Sequence, residues 1–337
     1  MEVRSAIAAS LVGLAAILLL GCGEKTSGAD SPGAERGTTR ITFASFSVAR
    51  EAYGRAILPA FKARWSSENP GRRLDIRETY EGSGVQTRAI LGGLRVDVAA
   101  LTLEPEIDRL IEAGLVSRDW KSVPGAGFPA YSTVVLAVRP GNPKGITTWE
   151  DLARSDVRVL MPSPDTSGSA QWNVAAIYGA AKRNGLSDEQ VFELLRGIRK
   201  RVRVYGKSGR ESVQQFVHGV GDVLVAWENE VLLRQSKGDA IEVVRPESTI
   251  KMEPPVALLG SKPSAPAREL IAYLSTPEAQ RLYGENFLRP SNRRIATEFQ
   301  ETLPPIKDLF TIEDVGGWAE VRQTLFSEEG LWPRAAR

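Results

Sequence analysis

The sequence predicts an α/β fold whose mostly parallel sheets are flanked by helices. Three observations carry this reading. Short apolar, β-branched runs alternate with helical patterns along the chain, as in strand–helix–strand units with right-handed crossovers. Three turns rich in Gly and Ser, within residues 80–86, 164–173 and 206–212, each join the end of a strand pattern to the start of a helical one. The chain has 337 residues, 42% hydrophobic and 25% charged, which is enough for two domains with cores of their own.

The first 22 residues stand apart from that pattern. Arg4 supplies a short positive start, and residues 11–20 form an apolar run too short to span a bilayer comfortably. The run ends in Leu19-Leu20-Gly21-Cys22, which resembles the bacterial lipobox, where the cysteine is lipidated and becomes the mature N-terminus. Cys22 is the only cysteine, so no disulfide forms within the chain. Residues 23–39, rich in Gly, Ser, Pro and charge, read as a flexible tether. The expected location is therefore extracytoplasmic, on a membrane surface, through a lipid anchor. The formal net charge is +2, and the densest basic run, Arg199-Lys200-Arg201, fits a solvated helix end better than a nucleic-acid face.

Residues 41–46 alternate apolar and polar side chains as a strand does. Residues 50–65 then place Tyr53, Ile57, Phe61 and Trp65 on one helix face at four-residue spacing. A strand at 74–77 runs into the first Gly/Ser turn and a helix through Leu91. An apolar strand at 96–101, a short helix at 105–113 and a long β-rich run at 131–138 follow, closed by Arg139-Pro140-Gly141-Asn142-Pro143. A helix start at 148–152 and a strand at 157–161 deliver the second turn and its helix; a further amphipathic helix spans 188–196. A strand at 202–205 leads to the third turn and a helix carrying Val213, Phe216 and Val217. Strands at 223–227, 241–245 and 256–259 and a helical pattern over 265–282 complete the alternation. No internal repeat of about 20–50 residues is visible.

Each Gly/Ser turn leaves backbone N–H groups at a helix start without partners, and such an end attracts anions through those donors and the helix dipole. Capping by Thr166 or Ser167 would explain the turn at 164–173 taken alone. Three such turns, all at the carboxyl ends of strands where open parallel sheets bind ligands, point instead to one shared anion.

The most specific stretches are Ser45-Phe46-Ser47-Val48-Ala49-Arg50-Glu51, Gly82-Ser83-Gly84-Val85-Gln86, Thr166-Ser167-Gly168-Ser169-Ala170-Gln171-Trp172-Asn173, Val225-Ala226-Trp227-Glu228-Asn229-Glu230 and Phe310-Thr311-Ile312-Glu313-Asp314-Val315-Gly316-Gly317-Trp318. On these, from about Ile41 to the end, the chain resembles the bacterial sulfate- and thiosulfate-binding proteins, the receptors of sulfate ABC transporters. The resemblance implies a two-lobed type II periplasmic binding protein fold with a two-crossing hinge, residues 40–133 and 250–337 forming the first lobe and 134–249 the second. Residues 131–138 and 241–245 would lead into the crossings. It also implies one desolvated oxyanion held between the lobes by uncharged donors. Carried over, these are Ser47 and Ser83 from the first lobe and Ser167, Gly168, Ser169, Gly209 and the Trp227 indole from the second. Sulfate or thiosulfate is the expected ligand and an ABC permease the expected partner; a monomer without cofactor or metal is expected.

Three positions depart from the family pattern. Ser47 stands where Asp is usual, but the contact there is a backbone N–H. Ser169 replaces a Gly, and Glu81 stands beside Ser83 where Gly is usual; Lys207 adds a nearby cation. Glu81 is expected to face solvent, leaving a pocket of donors that disfavours hydrogen phosphate, whose O–H would be buried unpaired. Phosphate, molybdate and tungstate remain alternative ligands.

An esterase acting on sulfate or phosphate esters is the competing class. His218 is the only histidine, and there is no Gly-x-Ser-x-Gly elbow, Walker loop or His-Glu-x-x-His motif to support one. Glu228 and Glu230 are expected to cap, to pair with Arg210 or to serve the surface rather than to act as acid and base. The lipobox reading is tested by Cys22→Ser. The variant should fold normally and appear in the soluble fraction after cell fractionation; a variant still bound to membranes would make the apolar segment itself the anchor.

Overall fold

In the computed structural model, which describes residues 37–337, the alternation resolves into twelve strands. Residues 1–36, with the leader, Cys22 and most of the tether, lie outside the described residues. The strands are β1 (Thr38–Phe46), β2 (Arg73–Glu81), β3 (Val98–Ala100), β4 (Ala130–Val138), β5 (Val159–Pro162), β6 (Val202–Gly206), β7 (Val223–Trp227), β8 (Glu242–Val244), β9 (Ser248–Met252), β10 (Val256–Leu258), β11 (Arg289–Pro290) and β12 (Asp308–Phe310).

Four of them form a smaller sheet in the order β10-β3-β1-β2, parallel except for β10. The second half of β1 is buried on both faces, because helices cover both sides of a central parallel strand. The larger, mixed sheet runs β12-β9-β4-β7-β5-β6, with β8 and β11 also pairing with β4. β4 is its axis and is antiparallel to all four of its neighbours. Its first residues meet β11 and β9, and residues 134–138 meet β7.

The C-terminal part departs from expectation. β10 and the helices Ala265–Tyr273 and Pro277–Glu285 do pack on the smaller sheet, where Tyr283 meets Tyr53 and Tyr273 meets Phe61. From β11 onward the chain crosses back. β12 adds to β9 in the larger sheet, Asp308 pairs with Arg183, and Trp318 meets Trp172 edge to face at 4.6 Å. Residues 308–337 therefore belong with the second lobe, and the connection has three crossings rather than two. Phe310 fills the space that Gly179 leaves open, where a Cβ would lie 2.3 Å from the ring. The helical pattern read over 265–282 is also two helices: Thr276 caps the second through the Ala279 N–H, and Pro277 opens it.

Glu228 ties these crossings together. Its fully buried carboxylate accepts from Arg245 at 2.6 Å and from Arg289 at 2.7 and 3.0 Å. Arg289 in turn donates to the carbonyls of Leu303 and Pro304, so one ion cluster holds β11, the segment before β9 and the returning chain. Of the roles expected for Glu228, ion pairing is the one found, but with Arg245 and Arg289. Removing one partner of a buried ion pair leaves the other uncompensated, at a cost of about 3–5 kcal/mol. Urea denaturation of Glu228→Ala should show a loss of that size; a loss under about 1 kcal/mol, the range of exposed pairs, would mean the cluster holds nothing together.

Candidate functional site

Five helical segments start along the facing edges of the two sheets. On the smaller sheet, a turn of 3-10 helix begins at Ser47 directly after β1, and the helix Ser83–Leu91 begins after β2. On the larger sheet, the helices Gly168–Arg183, Gly209–Val217 and Glu228–Ser236 follow β5, β6 and β7. The first N–H groups of each have no acceptor within their own helix. Ser208 caps its helix, accepting from the Glu211 N–H at 3.2 Å. Ser167 does not, although it occupies the N-cap position: its Oγ lies 2.7 Å from Ser169 Oγ, and Thr166 Oγ1 donates to the Lys207 carbonyl instead. Ser83 Oγ accepts from both the N–H and the hydroxyl of Thr102 at 2.9 Å, which leaves its own proton for another acceptor.

Trp227 is the sharpest feature. Its ring is 2% exposed and packs on Phe46 of the opposite lobe at 5.5 Å, yet its Nε1 has no acceptor among the described residues. A buried indole N–H ordinarily finds a partner. This one lines a closed cavity of about 10 Å³, bounded by Val48 from the first lobe and by Ser169, Asn173, Gly209 and Glu230 from the second. Asn173 donates its Nδ2 to the Val225 carbonyl and leaves Oδ1, an acceptor, without a partner.

The sequence-predicted residues divide accordingly. Ser169, Gly209 and Trp227 line the closed cavity, while Ser167 and Gly168 line the outer mouth of the cleft with Gly82 and an exposed Glu81. Ser47 precedes Val48, and Ser83 stands behind the mouth, buried against Thr102.

Contacts across the cleft hold the lobes together. Arg210 donates to both Glu230 oxygens at 3.0 Å within its lobe, and to Glu51 at 2.7 Å and the Ser47 carbonyl at 3.3 Å across the gap. Trp172 Nε1 donates to the Thr102 carbonyl at 2.7 Å. A Cβ on Gly168 would lie 2.3 Å from Thr102 Oγ1, so only glycine lets the helix start approach the first lobe this closely. Pairing of Glu230 with Arg210 is one of the roles foreseen for it. Glu51, Thr102 and Asn173 were not foreseen as participants: they are ordinary residue types, and their part appears only when the lobes meet.

The cluster sets the charge state of the cavity wall. Burial pushes the Glu230 carboxyl up to about 7, against the pull of Arg210. Burial also opposes the charge on Glu51, but the Arg210 guanidinium outweighs it and holds that carboxyl below its usual range. Arg210 stays charged despite its burial, because both carboxylates favour the cation.

Residues 47–289 match the family model of the bacterial extracellular solute-binding proteins. The chain belongs to the bacterial extracellular solute-binding protein family. This solute-binding protein is 34% identical to the sulfate-binding protein of Synechococcus elongatus, over 97% of this chain and 94% of that one. It is also 34% identical to the thiosulfate-binding protein of Escherichia coli, over 87% and 89% of the two chains. The solved structure of the sulfate-binding protein SubI from Mycobacterium tuberculosis superposes with a TM-score of 0.79 at 34% identity, covering 86% of this chain and all of that one. The fold is thus the two-lobed α/β architecture of type II periplasmic binding proteins.

Arg210→Gln removes the cation that Glu51 and Glu230 share. Glu230 in the folded protein holds its proton up to about pH 7, against 4.5 for an ordinary carboxyl, so its contribution to stability falls as pH rises through that window. Without Arg210 the ionised carboxylates are uncompensated, costing about 3–5 kcal/mol at pH 8, and much less near pH 5, where Glu230 is protonated. Urea titrations at the two pH values should show the deficit growing with pH; a constant deficit would remove Glu230 from the explanation.

Proposed function

We propose that this protein captures sulfate or thiosulfate outside the cytoplasm, closes two lobes over it and delivers it to an ABC permease. The observation that carries the reading is the Trp227 Nε1, a buried donor without an acceptor, facing a closed cavity surrounded by helix starts. A small anion with acceptors in every direction complements such a wall, and neutral N–H donors at helix ends suit it. The cavity is about the size of one water molecule, so it would widen to seat an oxyanion. The similarity to a sulfate-binding and a thiosulfate-binding protein supports the same ligands. In this reading the ligand donors are Ser47 and Ser83 from one lobe and Ser167, Gly168, Ser169, Gly209 and Trp227 from the other. Only the closed arrangement brings the two sets together, so ligand shifts the protein towards closure. A lipid on Cys22 would keep the receptor beside its membrane permease.

Asn173 Oδ1 favours one second reading. It is an acceptor on the same cavity, and hydrogen phosphate, unlike sulfate, brings an O–H that needs one.

Calorimetry with sulfate, thiosulfate and phosphate tests both. Sulfate or thiosulfate should bind at least about tenfold more tightly than phosphate, a difference of roughly 1.4 kcal/mol. Trp227→Phe keeps an aromatic ring, though a smaller one, and removes the donor, which should cost about 1.5–3 kcal/mol of sulfate affinity, as for a hydrogen bond to a charged group. An unchanged affinity in that variant would put the ligand elsewhere, and phosphate binding as tightly as sulfate would favour the second reading.

A further inference from the structure

A cavity of about 580 Å³ opens outward from Ser167 and Gly168 and is walled by both lobes. Its cations are Arg88 and Arg109 from the first lobe and Lys207 and Arg322 from the second; its carboxylates are Glu81, Glu106 and Asp165. Glu106 is engaged by Arg109 at 3.0 Å. The side chains of Arg88, Lys207 and Arg322 are exposed and make no ion pair or hydrogen bond among the described residues. Three uncommitted cations thus face two carboxylates, Glu81 and Asp165, that make no ion pair among the described residues, though Asp165 accepts from Ser163 Oγ at 3.4 Å. Deeper in, Arg210 is paired with both Glu51 and Glu230. The positive field that an approaching anion meets is therefore concentrated outside the closed cavity.

We propose that this mouth is an anion-recruiting vestibule, in which Arg88 from one lobe and Lys207 and Arg322 from the other draw the oxyanion out of solution towards Ser167 and Gly168. The proposal rests on the oxyanion reading above and adds a recruitment site to it. Charges that line the approach without touching the bound ligand raise the association rate and leave the residence time alone. That division suits a carrier, because a cation inside the site would also slow release to the permease.

The test compares the wild type with the triple variant Arg88→Gln/Lys207→Gln/Arg322→Gln and the charge-keeping Arg88→Lys/Lys207→Arg/Arg322→Lys. Dissociation rates come from chase of radiolabelled sulfate and affinities from calorimetry; together they give the association rate. At low ionic strength the Gln variant should associate about tenfold more slowly, within the range of electrostatic steering, and the charge-keeping variant should match wild type. The difference should vanish near 1 M salt, where screening acts within about 3 Å, and dissociation should stay within twofold throughout. Equal association rates at low salt would overturn the vestibule alone. Dissociation accelerated in proportion would also overturn it, by making these residues ligands. Absence of any sulfate or thiosulfate binding by the wild type would overturn the oxyanion reading, and the vestibule with it.

Discussion

A helix that begins beside a closed cavity brings N–H groups that water can no longer reach, and several helices of this protein begin there. The arrangement follows from topology. Parallel strands deliver their following helices to the same edge, so β1, β2, β5, β6 and β7 each release a helical segment towards the cleft. Of the two serines at N-cap positions on the larger sheet, Ser208 spends its hydroxyl on its own helix and Ser167 does not. The Trp227 indole N–H is a buried donor without an acceptor among the described residues, and leaving it unmet costs about 1–3 kcal/mol. A ligand that supplies an acceptor there would remove that cost only when the lobes are shut, which would couple binding to closure.

The lobe contacts act on the other side of that balance. Arg210 reaches Glu51 and the Ser47 carbonyl, and Trp172 reaches the Thr102 carbonyl. These bonds favour closure whatever the cavity contains, while Glu228 and its two arginines fix where the crossings sit. Because Arg210 is shared by two carboxylates, it fastens the lobes while adding no net positive charge to the cavity wall.

Much of this was legible in the residues. The alternation of β-branched runs and helical patterns marked most strands, and three Gly/Ser turns marked where helices meet the cleft. The structure brings all three turns to one side and sets Gly209 beside Trp227. What was not legible is non-local. β12 is three residues long and pairs with β9, about sixty positions earlier, so nothing in its own sequence says which lobe it joins. β9 itself, Ser-Thr-Ile-Lys-Met, mixes polar and apolar residues and lacks a clear period. The break at Thr276-Pro277 was a local signal, a cap followed by a helix-opening proline, and it outweighs the apolar pattern that spans it. Glu51 and Thr102 lie on ordinary helix and loop positions, and they matter only because the second lobe comes to rest against them.

The packing of Trp227 on Phe46 has one more consequence. The chain has seven tryptophans, and two of them, Trp227 and Trp172, sit in the second lobe while touching the first. When the cleft opens, water replaces a phenyl ring beside one indole and a carbonyl beside the other. Indole emission shifts in wavelength with the polarity around the ring. The colour of the protein's own ultraviolet fluorescence therefore carries a record of whether the lobes are shut, and the cycle of capture and release can be watched without attaching a dye.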